Sequence, residues 1–410
     1  MNDSKTGNIL GKDVAGVNCI LPHKHKTAWD LFLKGCANNW MPTEISMADD
    51  IKQWKNGEIT DDEKLLVKRS LGFFAGSESL VGNNLLLSGF RYITDAECRQ
   101  YILRQAFEES LHNLTIVYVC DSLDLKIDEV YQAYLNIPSI KAKDDFLMSI
   151  TTDLSRPDFN PHTQEGKKEI LRNFITYWIV CEGIFFFSGF AMLLALGRQN
   201  KMQGIADQIK YTLRDESSHI QFGTYVINQI IEQNPKICTK SFQQEITEHI
   251  QKAVELEIAY AKDVLPRGIL GLNAEMFVDY MHYIGNRRLE GVGLEYRFES
   301  DKNPFPWLGE VVDVQAMGNF FERRVREYQQ SGSLEDDFCC NILYTTMSRF
   351  KFASESFMLG QISCEMIALS QHLNENNGQK LNGELVELDK IINRVNKVKE
   401  IMLRKDKEHV

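Results

Sequence analysis

Two short motifs in this sequence place a carboxylate and an imidazole three residues apart. The first is Glu109 with His112, and the second, about a hundred residues later, is Glu216 with His219. Side chains three residues apart on an α-helix lie on one face, about a turn from each other. Each pair is therefore suited to bind one metal ion, and two such pairs indicate two metals. Both motifs lie in long apolar stretches with helical periodicity, which predicts that buried helices carry them.

Two further glutamates lie alone in segments that are otherwise apolar. Glu78 is in SLGFFAGSESLVGNNLLLSGF, and Glu182 is in FITYWIVCEGIFFFSGFAMLLAL. A buried carboxylate is costly without a partner, so each of these acids needs a cation, a donor or a proton. Helical bundles that bind two metals take one Glu from each of two helices and one Glu-x-x-His from each of the other two. The same order along this chain predicts an all-α, ferritin-like di-metal carboxylate bundle with extra helices.

A simpler interpretation is a set of buried Glu–His hydrogen bonds without any metal. A single Glu-x-x-His motif is weak evidence, because Glu and His fall three residues apart by chance in many helices. The repetition of the motif, interleaved with two buried glutamates in the matching order, favours the metal site. The hydrogen-bonding alternative does not explain why four helices each carry their acid near mid-length.

Composition and charge narrow the class of protein. The chain has 410 residues, of which 43% are hydrophobic and 25% are charged, as in ordinary globular proteins. A net charge of −11 argues against a nucleic-acid polymer as partner. The nine cysteines show no CxxC or His-flanked spacing, which indicates reduced thiols, and no signal peptide is recognisable at the start of the sequence. These features predict a cytoplasmic protein.

The most apolar segment, at about 174–196, is long enough to cross a bilayer. It contains Glu182 and follows amphipathic helices, which favours a buried bundle helix over a membrane span. We therefore expect no membrane association.

The pattern of apolar residues divides the chain into four regions. Residues 1–25 are polar and irregular and predict a solvated N-terminal arm. Residues 26–325 carry the predicted di-metal domain, and 326–338 form a flexible relay and docking tail. The last region, 339–410, is predicted to be a helical extension of unknown role. Within the first 300 residues, helices are predicted at 27–37, 44–56, 61–92, 94–124, 127–136, 138–154, 165–196, 202–233, 240–263 and 273–293.

Seven segments identify this sequence as similar to a known family over about residues 15–338. They are GCANNWMPTEI, ESLVGNN, RQAFEESLH, CEGIFFFSGF, RDESSHIQFG, PRGILGL and KNPFPW. Together they resemble the small, radical-generating subunit of class I ribonucleotide reductase. The resemblance implies a homodimer that works with a large catalytic subunit. It also implies that a dinuclear metal centre activates O2 and thereby initiates cysteine-radical reduction of ribonucleotides to deoxyribonucleotides in the large subunit.

The resemblance also assigns roles to individual residues. Trp40 resembles the family's electron-entry tryptophan, and Asp215 resembles the acid that links this tryptophan to the His112 imidazole. Tyr328 resembles the mobile tyrosine that relays the radical to the large subunit. The oxygen pocket would be lined by Phe186, Phe190 and Thr212. The implied metal ligands are Glu78, Glu109 and His112 for one ion, and Glu182, Glu216 and His219 for the other.

One position departs from the family pattern. Standard members carry a radical tyrosine four residues after the first ligand histidine, where this chain has Ile116. On a helix, Ile116 points about 40° from His112 and faces the site, whereas Tyr118 points about 240° away. The missing tyrosine, together with Glu78 in place of the common aspartate, resembles the tyrosine-lacking class Ic branch. That branch usually has Phe at the position of Ile116.

The same branch uses a manganese–iron pair that itself stores the oxidising equivalent. Carboxylate oxygens with only two imidazoles suit Mn and Fe better than Zn or Cu. A Mn/Fe centre is therefore preferred, and the ligand types leave Fe/Fe and Mn/Mn open.

Three other functions match parts of the pattern. A ferritin-like di-metal ligand-binding oxidase would also lack the tyrosine, but it would not need Trp40, Asp215, Tyr328 or an acidic tail. Iron storage requires a shell-forming surface and an iron path, for which the sequence gives no signal, and a non-catalytic subunit usually loses ligands.

The segment 333–338, SLEDDF, resembles the family's docking tail. Because the chain continues beyond it, we expect the docking segment to be internal.

Overall fold

The computed structural model describes residues 8–11, 18–151, 154, 156–300 and 302–308. The predicted relay residue Tyr328, the docking segment and the extension at 339–410 lie outside the described residues.

The described part of the chain is helical, and its one β-bridge is isolated, between Ile269 and Leu272. Two short 3₁₀ turns, Pro42–Glu44 and Pro235–Ile237, and two π-helical segments accompany the α-helices. The π segments are π1, Leu85–Gly89, and π2, Ile175–Phe185. The α-helices are α1 Lys26–Ala37, α2 Ala48–Asn56, α3 Asp61–Asn84, α4 Phe90–Tyr92, α5 Ala96–Leu123, α6 Ile127–Tyr131, α7 Ala133–Asn136, α8 Pro138–Thr151, α9 Gln164–Phe174, α10 Phe186–Arg198, α11 Gln203–Gln233, α12 Lys240–Val264 and α13 Ala274–Gly291.

Local capping residues set the start of the helices that carry the site. The Thr60 side chain accepts from the Glu63 backbone N–H at 3.3 Å, and the Glu63 carboxylate accepts from the Thr60 N–H at 2.8 Å. This reciprocal box satisfies two donors at the start of α3. Asp95 caps α5 with a single hydrogen bond, its side chain accepting from the Cys98 N–H at 3.0 Å. The capping residues that mark these helix starts can be recognised in the sequence. The predicted helix positions are confirmed to within a few residues.

The long predicted helix at 165–196 is not a continuous α-helix. It runs as α9, then as the π-helical segment π2, and then as α10. A π-helix bonds residue i to i+5 and is rare beyond a single turn. Apolar periodicity does not reveal it here, because every residue of π2 is buried and the segment has no polar face.

Four elements form the centre of the bundle. Helix α3 packs on α5, π2 packs on α11, and α11 also contacts α5. Gly223 of α11 allows the closest of these approaches, since a Cβ there would lie 2.3 Å from the Cβ of Trp178 on π2. The continuous helical stretch Gln164–Arg198 is apolar enough to cross a membrane by composition, but 94% of its most apolar window is buried within the protein. This stretch is a core element of the bundle, as predicted.

The N-terminal arm is more closely packed than predicted. His25 is fully buried, and its Nδ1 lies 2.7 Å from the Tyr225 hydroxyl. Ile9 is also fully buried, and its backbone N–H donates to Gln233 at 3.0 Å. The expectation of a solvated arm is therefore wrong at these residues. The flanking lysines suggested exposure, but the partners of His25 and Ile9 come from α11, more than 190 residues away in sequence.

Candidate metal centre

The structure brings all six predicted ligand side chains into one buried site. They form two groups, and within each group one ligand atom from every residue lies within 4.8 Å of the others. The two groups share Glu109 and Glu216. The first group is completed by Glu78 and His112, and the second by Glu182 and His219. Each group contains one complete Glu-x-x-His motif.

The two shared carboxylates face both histidines. Glu109 places Oε2 3.6 Å from the Nδ1 of His112 and Oε1 3.2 Å from the Nδ1 of His219. Glu216 places Oε1 3.2 Å from the first of these nitrogens and Oε2 3.2 Å from the second. The imidazole centroids are 5.9 Å apart. Each shared carboxylate thus has one oxygen close to each of the two histidines.

The outer ligands each lie beside one histidine. Glu78 Oε2 is 3.4 Å from the Nδ1 of His112, and Glu182 Oε2 is 3.9 Å from the Nδ1 of His219. All of these side chains are at most 1% exposed.

The donor set matches a pair of cations. Five buried polar atoms of the site lack a hydrogen-bond partner: Glu78 Oε2, Glu109 Oε2, Glu182 Oε2, Glu216 Oε1 and His112 Nδ1. Buried polar atoms are otherwise nearly always paired, and these atoms belong to the two groups of converging ligands. Four carboxylates concentrated in a dry site repel one another unless cations or protons neutralise them. Oxygen-rich donors with two imidazoles suit first-row metals such as Mn and Fe.

The pKa shifts of the site residues show that the acids of the site outnumber the positive charges that the protein places beside them. Burial raises the pKa of Glu78 and of Glu182 well above the ordinary value, and neighbouring carboxylates add to the effect. Burial opposes the charged form of His112 and His219, but the surrounding acids nevertheless raise the pKa of both imidazoles well above the usual range. The raised pKa values mean that this cluster of acids favours bound positive charge, which protons or metal ions can supply.

A chain of hydrogen bonds leads from one histidine to a buried tryptophan. Asp215 Oδ2 accepts from the Trp40 Nε1–H at 2.7 Å and lies 3.5 Å from His112 Nε2. Burial disfavours the Asp215 charge, but these contacts and the nearby Arg214 guanidinium lower the pKa of its carboxyl. The Trp40 indole also stacks on the ring of Tyr211, with centroids 5.1 Å apart. Trp40 and Asp215 therefore occupy the relative positions expected from the sequence.

The second histidine has a partner of its own that the sequence analysis missed. His219 Nε2 lies 2.9 Å from Glu108 Oε2, and the other oxygen of Glu108 accepts from the Arg104 Nε–H at 2.9 Å. A carboxylate behind a ligating histidine fixes the orientation of the ring and raises its basicity. Because Glu108 directly precedes Glu109, it points about 100° away on the helix, and nothing in its spacing from His219 reveals the contact.

Gln105 is a second residue that sequence reasoning missed. It is fully buried, and its Nε2 donates to Glu182 Oε1 at 2.9 Å. The Trp178 indole donates to the Gln105 amide oxygen at 3.1 Å and so fixes which end of the amide faces Glu182. A glutamine one helical turn before Glu109, on the same face, is the signal that was available in the sequence.

The position of the missing tyrosine is buried and apolar. Ile116 is 2% exposed and lies one turn after His112 on α5. Tyr118 points away as predicted, donating its hydroxyl to the Ile45 carbonyl at 3.0 Å.

The residues expected to line an oxygen pocket are all buried. The rings of Phe186 and Phe190 lie 5.9 Å apart, and both pack on Phe74. Thr212 donates its hydroxyl to the Gln208 carbonyl at 3.2 Å, one turn before Glu216.

The fold is a ferritin-like helical bundle, and its buried carboxylate/His cluster could hold a dinuclear metal site. The family model "Ribonucleotide reductase, small chain" matches residues 17–304. The chain therefore belongs to the small-chain family of ribonucleotide reductases, and it acts as a class I ribonucleoside-diphosphate reductase small subunit.

Individual relatives cover most of the chain. A ribonucleoside-diphosphate reductase subunit beta from Chlamydia pneumoniae is 52% identical over 331 residues, which is 81% of this chain and 95% of that relative. The corresponding subunit from Treponema pallidum is 27% identical and covers 80% of this chain and 92% of its own length. A solved R2 subunit from Clostridium botulinum is 28% identical and has a TM-score of 0.68, covering 75% of this chain and 94% of that one. The function and fold predicted from the sequence are confirmed, and the ligand-binding oxidase alternative is not favoured.

Proposed function

We propose that the six converging side chains would hold a dinuclear metal centre, with Glu109 and Glu216 shared between the two candidate positions. The observation that carries this proposal is the position of these two carboxylates, each with one oxygen towards either histidine. Glu78 and His112 complete one position, and Glu182 and His219 complete the other. When bound, such a centre supplies O2 activation and the one-electron oxidant that starts ribonucleotide reduction in the large subunit.

The residues around the ligands have separate roles in this proposal. Asp215 holds His112 in the orientation that presents Nδ1, and it joins this imidazole to Trp40 through one carboxylate oxygen. This connection is the start of the path for electron transfer between the centre and the large subunit, and Tyr328 continues it. Phe186, Phe190 and Thr212 keep water away from the face where O2 arrives. Glu108 and Gln105 orient His219 and Glu182.

We further propose that the protein belongs to the tyrosine-lacking class Ic branch and uses a Mn/Fe centre. The support is Ile116 at the radical position, since its side chain has no oxidisable group, together with Glu78 in place of the common aspartate. Tyr118 does not substitute for the missing tyrosine, because its hydroxyl is directed to the Ile45 carbonyl.

Metal analysis combined with electron paramagnetic resonance tests this proposal. The reduced protein is loaded with Mn²⁺ and Fe²⁺, exposed to O2 and measured. We expect one Mn and one Fe per chain and a metal-centred signal without a tyrosyl radical. A sharp tyrosyl signal that disappears in Tyr118→Phe would contradict it, and an active Fe/Fe or Mn/Mn centre would refute the metal preference while leaving the ligand set intact.

The proposed assembly is a cytoplasmic homodimer that works with the large subunit. Support for the dimer comes from large apolar side chains that are solvent-exposed in the single chain. On α5 these are Leu103, Phe107 and Leu114, between 38% and 46% exposed, and on the adjoining π1 they are Leu86 and Leu87, above 50% exposed. An exposed apolar patch of this kind is typical of an interface between copies.

A further inference from the structure

The proposed ligand Glu182 is carried by the longer of the two π-helical segments in the described part of the chain. It lies in π2, whose wide turns return to the α-helical form at Phe186. A change from i→i+5 to i→i+4 bonding interrupts the regular pairing of backbone carbonyls with N–H donors. Backbone groups at such a point need other partners, because an unpaired buried carbonyl is costly. The direction in which Glu182 points therefore depends on what holds this turn.

A side chain from another helix supplies a donor at this point. Arg288 of α13 donates its Nε–H to the Gly183 carbonyl at 2.7 Å, one residue after the ligand. Gly183 is the residue that admits it, since a Cβ there would lie 2.9 Å from the Arg288 Nε and 3.1 Å from its Cδ. The contact therefore requires both a glycine at position 183, which leaves room, and an arginine at position 288, which donates the hydrogen bond.

The surroundings of the Arg288 guanidinium are largely apolar and aromatic. Arg288 is half-buried, burial lowers the pKa of its guanidinium to about 10, and no described carboxylate forms an ion pair with it. The guanidinium lies over the Phe187 ring, with Cζ 4.8 Å from the centroid. It also borders a cleft of about 290 Å³ whose described lining contains no acid. Partial burial of an arginine without an acidic partner is unfavourable, so its hydrogen bond to the Gly183 carbonyl and its contact with the Phe187 ring are the compensating contacts.

The Glu182 carboxylate has few other supports. Its Oε1 accepts from Gln105, and its Oε2, the oxygen nearer to His219, has no hydrogen-bond partner. The placement of that oxygen is therefore set by Gln105 on one side and by the backbone of π2 on the other.

We infer that Arg288 is a positioning residue for the metal centre: by binding the Gly183 carbonyl it fixes the π-helical turn that directs Glu182 to the second metal position. This inference rests on the proposed metal-binding roles of the six side chains. The competing explanation is that Arg288 only packs α13 against the bundle, which would affect stability and not one metal position in particular.

The test is anaerobic titration of the metal-free protein with Mn²⁺, following bound and free ion by electron paramagnetic resonance. The informative variant is Arg288→Met, which keeps the apolar stem and removes the donor. Arg287→Met is the matched control, because Arg287 borders the same cleft but contacts Tyr283 and not π2. Glu182→Gln and Glu78→Gln provide the binding curves expected when the second or the first position is impaired.

We expect two Mn²⁺ per wild-type chain. Arg288→Met should weaken one of the two at least tenfold and reproduce the curve of Glu182→Gln, with a melting temperature of the metal-free protein close to wild type. Arg288→Lys, which can still donate to the carbonyl, should recover part of the affinity, and Arg287→Met should bind as wild type.

Other outcomes separate the possible failures. Unchanged binding in Arg288→Met would overturn the inference, and so would an equal loss at both positions with a large fall in melting temperature. A wild-type chain that binds no pair of ions would instead refute the proposed metal centre, and this inference with it.

Discussion

At the scale of single residues, the Asp215 carboxylate connects the buried tryptophan Trp40 to the imidazole of His112. Its Oδ2 accepts from Trp40 and lies beside the His112 imidazole, and its Oδ1 faces the Arg214 guanidinium. The lowered pKa keeps the carboxylate charged, so it continues to support the imidazole as a ligand. A substitution of Asp215 that removes the charge and keeps the size should separate its effect on the orientation of the His112 imidazole from its effect on packing.

We predict that Asp215→Asn weakens Mn²⁺ binding at the His112 position by about 10- to 100-fold, the usual effect of losing a carboxylate behind a ligating histidine. Ribonucleoside-diphosphate reduction with the large subunit should fall more steeply, because the link from Trp40 to His112 is also altered. Mn²⁺ titration and turnover assays measure the two effects. Asp207→Asn, at a partly exposed position of the same helix, is the control, and wild-type behaviour of Asp215→Asn in both assays would rule out the assigned role.

At the scale of elements, the approach of α11 to π2 determines several positions at once. Gly223 allows the Trp178 side chain to lie against α11. Trp178 then fixes Gln105, and Gln105 donates to Glu182. A change in helix packing is therefore transmitted to a metal ligand through two hydrogen bonds.

We predict that Gly223→Ala destabilises the protein by about 1–3 kcal/mol, because the added methyl group overlaps Trp178. The displaced indole should also release Gln105, so affinity for the ion beside Glu182 should decrease. Urea unfolding and Mn²⁺ titration provide the measurements. Gly291→Ala is the control, since its Cβ would meet only Thr224 at 3.6 Å. A Gly223→Ala protein as stable as this control would show that the packing tolerates the methyl group.

Helix α8 buries an acid that has no role in the metal centre. Asp144 is 1% exposed, and neither of its carboxylate oxygens has a hydrogen-bond partner. Burial raises the pKa of its carboxyl to about 7, although the adjacent Lys143 acts in the opposite direction. Lys143 itself pairs with Glu257 at 2.6 Å. Because the folded state holds this proton more tightly than the unfolded state, its contribution to stability is present at about pH 4 and is lost as the pH rises to about 7.

We predict that Asp144→Asn makes the protein more stable than wild type at pH 8 by about 1–3 kcal/mol, while the difference becomes small near pH 4. The neutral amide avoids a buried charge that the wild-type protein must carry above pH 7. Urea unfolding at both pH values measures the effect. Asp145→Asn, at the neighbouring exposed position, should show no such pH dependence, and an equal effect of both variants would contradict the explanation.

At the scale of the whole molecule, the exposed apolar side chains on α5 and π1 determine the expected oligomeric state. We predict that combining Leu103→Glu with Phe107→Glu converts the dimer into monomers, because charges would be buried in the interface. Analytical ultracentrifugation measures the mass. Leu270→Glu is the control, since Leu270 is 79% exposed in a turn and away from this patch. A wild-type monomer, or a double variant that remains dimeric, would show that this surface is not the interface.

The segment 333–338 is proposed to dock on the large subunit although the chain continues after it. Its two apolar residues, Leu334 and Phe338, can anchor the segment, and its three acids can steer association. We predict that truncation after Phe338 leaves affinity for the large subunit and turnover unchanged. Surface plasmon resonance and activity assays measure both. An increase would indicate that the extension obstructs docking, and a loss of both would place the binding determinant in 339–410.

The sequence alone determined the helical fold and the set of candidate ligands, since both depend on short-range regularities. Helix periodicity places Glu109 with His112, and Glu216 with His219, on common faces whatever the rest of the chain does. A buried acid in an apolar segment requires a partner, which indicated Glu78 and Glu182 as the remaining candidate ligands. Capping residues such as Thr60 also set where a helix begins.

Only the tertiary structure decided which side chains support those ligands. Glu108, Gln105 and Arg288 reach the ligands or their backbone from other helices, at sequence separations of 77 to 111 residues. The burial of His25 against Tyr225 has the same origin. Periodicity shows which face of a helix is buried, but not which residue of another helix meets it. The π-helical form of π2 is decided in the same way, because an entirely buried segment has no polar face whose spacing would record how its backbone is wound.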